Sequence, residues 1–321
     1  LRNPAQINVV VGGSAIAQFN GDRLDLGSYG SSKHIYAGAA TVSAPAYSFA
    51  ADTDTGMYLP SAGNLGFSVG GGLRMNIDTN SKISLGNNDS GTSNTIFGKS
   101  AGSPDAGSNY NVMIGEGAMG GGTLDDSQEN VAIGYRAGYN ITTSDKNVLI
   151  GMQAGQLITT GNQNTYIGWD AGRYQIGGSS NTVVGNGAGK YQRGNLNTLM
   201  GLSAGFGDSS SPYSNGIENT AIGAYALINS RASQSYATAV GAYAGFYTTG
   251  SYNTFMGYKA GYGGQTSAPY SSGTNNVAVG YQALKGFTTA SGSVAIGVAA
   301  GDAITTGNAN VAIGENALSA K

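Results

Sequence analysis

Cysteine is absent, and histidine occurs once, at His34. Disulfides, thiolate zinc sites and thiol nucleophiles are therefore excluded, and a lone histidine argues against His-rich metal sites and a Ser-His-Asp triad. Charge is scarce: Asp, Glu, Lys and Arg make up 10% of the 321 residues, and the formal net charge is −2. A nucleic-acid binder calls for clustered Lys and Arg, so this balance argues against one. Large aliphatic residues are few as well; Leu, Ile, Val and Phe reach only about 18% of the chain, just under the ~20% level associated with disorder. Disorder also requires a high net charge, which is missing. A conventional enzyme fold around one thick core is disfavoured, because the side chains to fill it are lacking. No run of 18 apolar residues is present, so no helical membrane span is expected. The sequence opens at Leu1 without a charged segment ahead of an apolar one, and is read as a fragment or a processed chain.

What is abundant is glycine, 55 residues against a usual share of ~7%, and it recurs with a period. From residue 94 onward one pattern returns: Asn, Thr or Val, an apolar residue, Ile/Val/Met/Phe, Gly, any two residues, Ala, then Gly or Leu. Examples are NTIFGKSAG at 94–102, NVAIGYRAG at 130–138, NTYIGWDAG at 164–172 and NVAIGENAL at 310–318. The fixed glycines, Gly98 through Gly314, mark thirteen copies spaced 16 to 23 residues apart, most often 17. Such a unit is too short for helix-turn-helix repeats, which need ~34 residues. Four apolar or β-branched residues closed by Gly fit a five-residue strand and a turn. The expected object is an all-β fold, a β-solenoid or β-roll of about thirteen coils. Stacked at ~4.8 Å, they make a rod section on the order of 60 Å long.

Alternation along the strand separates two faces. Thr165 and Ile167 share one; Asn164, Tyr166 and Gly168 share the other. The Ile-type position is apolar in every copy and is assigned to the core of the coil. The middle position varies from Ala to Tyr166 and Phe255. It is assigned to a second face that needs a partner, most simply further copies of the chain in a trimer. Alanine three residues after each fixed Gly implies room for one methyl. The next residue is Gly in most copies, which suits a positive-φ turn, but Met119, Leu227, Leu284 and Leu318 suggest that the turn is dispensable. Asn opens eleven units, with Ala237 and Ser293 as exceptions, and is read as a structural amide ladder.

The VAIG and TAIG motifs with Ala following resemble two groups, the heads of trimeric autotransporter adhesins and bacteriophage tail fibres. The TTG element at 159–161, 248–250 and 305–307 and the block SAPAYSFAADTDTGMYLPSAGNLGFSVGGGLRMNID at 43–78 are similar to the tail fibres. The resemblance covers residues ~43–321. It implies a homotrimeric virion shaft, joined to other tail proteins at its N-terminal end, that contacts a host-surface glycan or protein. It implies no enzyme, cofactor, metal, nucleic acid or membrane insertion. A bacterial cell-surface adhesin is the alternative, and a polysaccharide-degrading tailspike a lesser one. Tail fibres often end in an intramolecular chaperone; nothing after Asn310 resembles it, and a further module is expected beyond Lys321.

Three regions are expected: a neck at 1–43, a small β domain at 44–90 with turns at Asp54-Thr55-Gly56, Ala62-Gly63-Asn64 and Gly70-Gly71-Gly72, and the solenoid at 91–321. The Asp52/Asp54 pair reads as Asx-turn chemistry rather than a calcium site, which recruits more carboxylates. Tailspikes use carboxylate pairs ~5–10 Å apart. The candidates, Asp125/Asp126 and Asp170 with Glu116 or Glu315, read as solvated loop groups. For binding, the two longest spacings hold loops at 206–218 and 262–275, each with Pro-Tyr-Ser, which places Tyr213 and Tyr270 on stiffened loops. Tyr135, Trp169, Tyr258 and Tyr281 share the position after the fixed Gly, with Tyr225 and Tyr243 one residue later. Tyr213, Tyr270, Trp169, Tyr258 and Tyr281 are the candidate receptor contacts. The competing reading of the stripe is stacking between coils or filling of a crevice between chains.

Overall fold

The computed structural model describes residues 6–11, 14–20, 23–25, 40–49, 51–77, 79–80, 83–85, 93–102, 107–207, 214–229, 234–264 and 270–319. The chain divides into two compact units, Leu1–Gly86 and Asn87–Lys321. In the first, β1 (Gln6–Val11), β2 (Ser14–Asn20) and β3 (Arg23–Asp25) form one antiparallel sheet. β4 (Tyr47–Phe49), β5 (Asp52–Tyr58), β6 (Leu65–Val69), β7 (Gly72–Ile77) and β8 (Ile83–Leu85) form another, in sequence order. Asp54-Thr55-Gly56, expected as a turn, lies inside β5. Gly56 is needed there because a Cβ would sit 1.9 Å from the Tyr47 carbonyl oxygen of the paired strand. The turns at Gly63 and at Gly70-Gly71 are present, with φ of +82°, +57° and +68°.

The second unit is a parallel β-solenoid of about twelve turns with no helix among its described residues. Its thirteen strands, β9 (Thr95–Phe97) through β21 (Val311–Ile313), form one sheet in strict sequence order. Each is three residues long, not five, although the flanking groups still bond between coils: the Asn181 carbonyl accepts from Thr165 and the Gly168 N–H donates to Ile150, both at 2.8 Å. Pairing is in register; Thr165, Tyr166 and Ile167 face Thr182, Val183 and Val184.

Backbone bonds join coil to coil well beyond the strands. Gly168 donates to the Ile150 carbonyl at 2.8 Å and Asp170 to that of Met152 at 3.0 Å, both in the preceding coil. Gly172 donates to Ala188 and Tyr174 to Lys190, each at 3.0 Å, in the following one. This alternation of direction requires left-handed residues. The residue before each Asn, the fixed Gly, and the residues two and four beyond it all have positive φ wherever they are described. Met119, Leu227, Leu284 and Leu318 keep φ between +48° and +51°, so the turn persists where Gly is replaced and is not dispensable.

The fixed glycines stack directly. From Gly98 to Gly297, an added Cβ would meet the carbonyl oxygen of the next fixed Gly at 2.4–2.7 Å. With φ between +112° and +137° across the column, no other residue fits.

The two strand faces are the reverse of the sequence assignment. The middle residue of the strand points inward: Met113, Leu149, Tyr166, Leu199 and Phe255 are buried, as are the alanines at this position. The Thr/Val and Ile-type residues on either side face outward, half-buried or exposed. Uniform apolarity at the Ile position had suggested the core. The interior, however, is filled jointly by several positions that exchange volume. Where the middle residue is Ala221 or Ala278, the residue four beyond the fixed Gly is the buried Leu227 or Leu284; beside Ala132, Ala239 and Ala295 that residue stays Gly, and Leu149 and Ile141, Leu227 and Phe255, or Ile304 and Leu284 lie against it. Where the middle residue is Tyr166 or Phe255, the residue four beyond is Gly172 or Gly261, whose Cβ would lie 2.7 Å or 2.2 Å from the ring. Variability is therefore the mark of the shared interior. Burial pushes the Tyr166 hydroxyl well above its ordinary value and keeps it protonated.

The Asn ladder runs inside the coil. The Asn164 N–H and side-chain Nδ2–H donate to Asn147 Oδ1 at 2.9 and 3.1 Å, and Nδ2 also donates to the Gly178 carbonyl at 2.8 Å. Asn181 repeats this onto Asn164. The fixed alanines from Ala118 to Ala300 are fully buried beside it. At Ala237 the ladder stops: its N–H donates to Asn219 Oδ1, but it offers no oxygen to Asn253, whose Nδ2 bonds the Gly250 and Gly273 carbonyls.

Gly168→Ala is expected to destabilise the solenoid by about 3 kcal/mol or more, from left-handed strain and overpacking together. Gly314→Ala, at φ of +112° but with nothing within 4 Å of an added Cβ, keeps the strain without the overpacking and should cost less; comparable urea midpoints for the two variants would contradict the stacking argument. Asn164→Ala removes the acceptor for two Asn181 donors and should cost about 2–3 kcal/mol. Ala237→Asn restores the missing step and should raise the melting temperature.

Candidate functional site

The segment after each fixed Gly forms one long edge of the solenoid, and side chains one, two, five and six residues beyond that Gly stack along it. Rings meet from coil to coil: Tyr174 lies on Tyr191 at 4.8 Å, Tyr225 on Tyr243 at 5.2 Å, Phe246 on Tyr262 at 5.3 Å and Tyr258 on Tyr281 at 5.5 Å between centroids. The interplanar angles, 11° to 28°, mean that ring faces are turned to one another along the stack. A separate stack, Tyr236 on Tyr252, stands at the position before the ladder Asn.

Cations are interleaved with these rings. The Arg136 guanidinium sits 5.2 Å from the Tyr135 centroid and 5.0 Å from that of Tyr139. Arg173 lies 5.1 Å from Tyr174. Lys190 Nζ is 5.9 Å from Trp169 and 5.7 Å from Tyr191. Lys259 Nζ is within 5.2 to 5.8 Å of Tyr258, Tyr262 and Tyr243. Each such contact contributes ~0.5–1 kcal/mol at an exposed site. Desolvation, reinforced by the neighbouring Tyr247, pushes the Tyr262 hydroxyl up from its ordinary value.

One carboxylate organises the edge. Asp170 is 2% exposed, with Lys190 Nζ 2.6 Å from Oδ2 and Arg173 Nη1 3.4 Å from Oδ1. The Arg173 Nε–H also donates to Gln156 Oε1 at 2.8 Å. Asp170 has φ of +57°, and Arg136, Tyr225, Tyr243 and Lys259 at the same repeat position have +53° to +60°. Gly117 and Gly187 occupy that position elsewhere without strain. Ringed and charged side chains are thus held where glycine would be easier.

The sequence-derived residues are distributed as follows. Trp169, Tyr258 and Tyr281 lie on this edge, 47%, 40% and 50% exposed. Tyr270 is half-buried and stacks on Tyr247 at 5.7 Å. Tyr213 lies outside the described residues. Both long loops re-enter the stack at equivalent points, Ser214 pairing with Gln192 and Ser271 with Thr248. Ahead of them, Gly207 and Gly264 still bond to the following coil, donating to the Ile228 and Phe287 carbonyls at 3.2 and 2.7 Å. Arg173, Lys190 and Lys259 were not singled out from sequence, although Arg173 and Lys190 share the fifth position beyond the fixed Gly and so could have been.

The carboxylates of the candidate pairs stand in different settings. Asp170 is enclosed by its cations, and Glu116 is three coils away, roughly 14 Å at ~4.8 Å per coil. Asp126 accepts from Gln128 Nε2 at 2.6 Å. In the small β unit, Asp54 is raised by its hydrogen bond to Asp52, while a bond from Thr55 lowers Asp52. Among the described residues no group of three or more His, Cys, Asp or Glu side chains could hold a metal ion. No family model, curated protein or solved structure matches the chain.

Lys190→Met leaves the buried Asp170 with Arg173 alone and is expected to cost about 2 kcal/mol. Lys190→Met combined with Asp170→Leu should recover most of that loss, since the unpaired charge is gone. A double mutant no more stable than the single one, by urea denaturation, would show that the pair does not act as a unit.

Proposed function

We propose that the chain is a segment of a homotrimeric bacteriophage tail fibre, forming a rigid shaft that also contacts the host surface. The observation that carries this is the outward face of the sheet. The Ile-type position presents Ile133, Ile150, Ile167, Val184, Met200 and Met256 in a continuous row, flanked by the Thr/Val row. Exposure of Met200 and Met256 reaches 40% and 47%. Thirteen rungs at ~4.8 Å extend this row over about 60 Å. An apolar strip of that length exceeds what a lone soluble chain exposes, and further copies of the same strip, side by side, cover it with matching rungs. The VAIG-type repeat and the DTDTGMY block supply the likeness to tail fibres.

In this reading the chain is not an enzyme. The shaft acts by rigidity, and several weak contacts per particle add through avidity. The head of a bacterial trimeric surface adhesin would use the same coil and the same strip, and is kept as the second reading on that account.

Sedimentation equilibrium is expected to give three chains per particle. Ile150→Lys with Ile167→Lys should shift the mass to that of one chain while leaving the circular dichroism of the sheet in place. A single-chain mass for the unaltered protein would sink the trimer. Gold-labelled antibody against the chain should decorate tail fibres in electron micrographs of the phage; label on bacterial cells alone would favour the adhesin.

A further inference from the structure

The aromatic edge has a charge that the chain as a whole does not. Between Gly134 and Lys285, the cations of the described residues are Arg136, Lys146, Arg173, Lys190, Arg193, Lys259 and Lys285. All but Lys146 fall within eight residues after a fixed Gly, on that one edge. Among the described residues of this stretch, the single carboxylate sharing it, Asp170, is buried and already paired with Lys190 and Arg173. The other described carboxylates of this stretch, Asp145 and Glu218, stand beside the ladder Asn, away from that edge. Over this stretch the edge is thus predominantly cationic, in a chain of net charge −2; beyond it the same positions carry Glu116, Asp302 and Glu315.

We infer that this edge binds an acidic polysaccharide laid along the solenoid axis. The cations supply charge complementarity to repeated carboxylates, and their contacts with rings hold them in place before binding. The tyrosines determine the rest. Because ring faces are turned to one another at 4.8 to 5.5 Å, the stacks have no gap for a nucleobase to enter. What they offer outward is ring edges and phenol hydroxyls, which donate to and accept from sugar hydroxyls. Single-stranded nucleic acid binding depends on open aromatic platforms, so a hydroxyl-rich polyanion is the better match. A surface of this kind repeats from coil to coil, and the ligand is accordingly a polymer rather than one small sugar.

This inference rests on the surface-attachment reading and names its ligand class. The assembled protein is titrated with polygalacturonate, alginate and hyaluronate, and in parallel with neutral dextran, poly-glutamate and an oligothymidylate. At least one acidic polysaccharide should bind, and raising salt from about 0.05 to about 0.5 M should weaken it tenfold or more by screening. Arg136→Gln with Lys259→Gln and Lys285→Gln, which leaves the Asp170 pairs untouched, should also weaken it at least tenfold while the protein stays folded, its melting temperature lowered only by the lost cation–ring contacts. Binding by none of the three acidic polysaccharides overturns the inference, as does equal or tighter binding of dextran, poly-glutamate or the oligothymidylate. Should the triple variant misfold, insensitivity of the unaltered protein to salt overturns it equally. Antibody label on phage fibres without polysaccharide binding removes the ligand class alone; binding without such label removes the virion reading and leaves the ligand class standing.

Discussion

The contact between fixed glycines of successive coils sets the geometry of the solenoid. At that column the backbones approach so closely that a single methyl carbon would fall inside the radius of the next carbonyl oxygen. Such proximity allows amides on both sides of the column to bond alternately to the coil above and the coil below. Left-handed backbone at non-glycine residues costs ~1–2 kcal/mol each, and every coil contains at least one wherever its residues are described. The inter-coil bonds offset that cost only because all coils adopt one shape. A coil that relaxed would lose its bonds to two neighbours, so conformational uniformity is enforced by the stack rather than by the local sequence.

Much of this was legible in the residues. A period near 17, glycine at one fixed place, alanine three residues later and asparagine at the start of the unit are sufficient for coils, their number and an amide ladder. The direction in which side chains point was not legible. Strand alternation distinguishes two faces but carries no sign, and the usual guide, that the uniformly apolar face is the buried one, fails for a coil this thin. Its interior is shared among Tyr166, Gly172 and neighbouring positions, or among Ala221 and Leu227, so volume is conserved by the group and no single position needs to stay large. The left-handed turn at Leu227, Leu284 and Leu318 was obscured for a related reason. Glycine is the easiest residue at such a turn, and at Leu227 and Leu284 the leucine side chain is buried in space that Ala221 and Ala278 leave open.

The residues of the candidate site were legible in part. Trp169, Tyr258 and Tyr281 stand out because they share one place in the repeat. Arg173 and Lys190 share another, but their significance depends on Asp170, whose burial between coils is a property of the stack. Sequence spacing within a unit says which residues lie on the same edge; it does not say which cation of one coil reaches the carboxylate of the next. That step depends on the in-register pairing, which puts Lys190 directly beyond Arg173 and both against Asp170.

The inward turn of the variable residues also separates two surface tasks that compete in many assemblies. With the bulky variable side chains enclosed, the outward strand face is left with a monotonous row of Ile, Val, Met and Thr, suited to lie against an identical row. The edge after the fixed Gly, a corner away, varies from coil to coil and carries the rings and the cations. Desolvating Lys259 against another apolar strip would be costly without a carboxylate to receive it. The charge pattern therefore sets this edge apart from the apolar row. A long repeat can in this way keep one outward face constant while a neighbouring edge diverges, because the two are set by different positions of the same 17-residue unit.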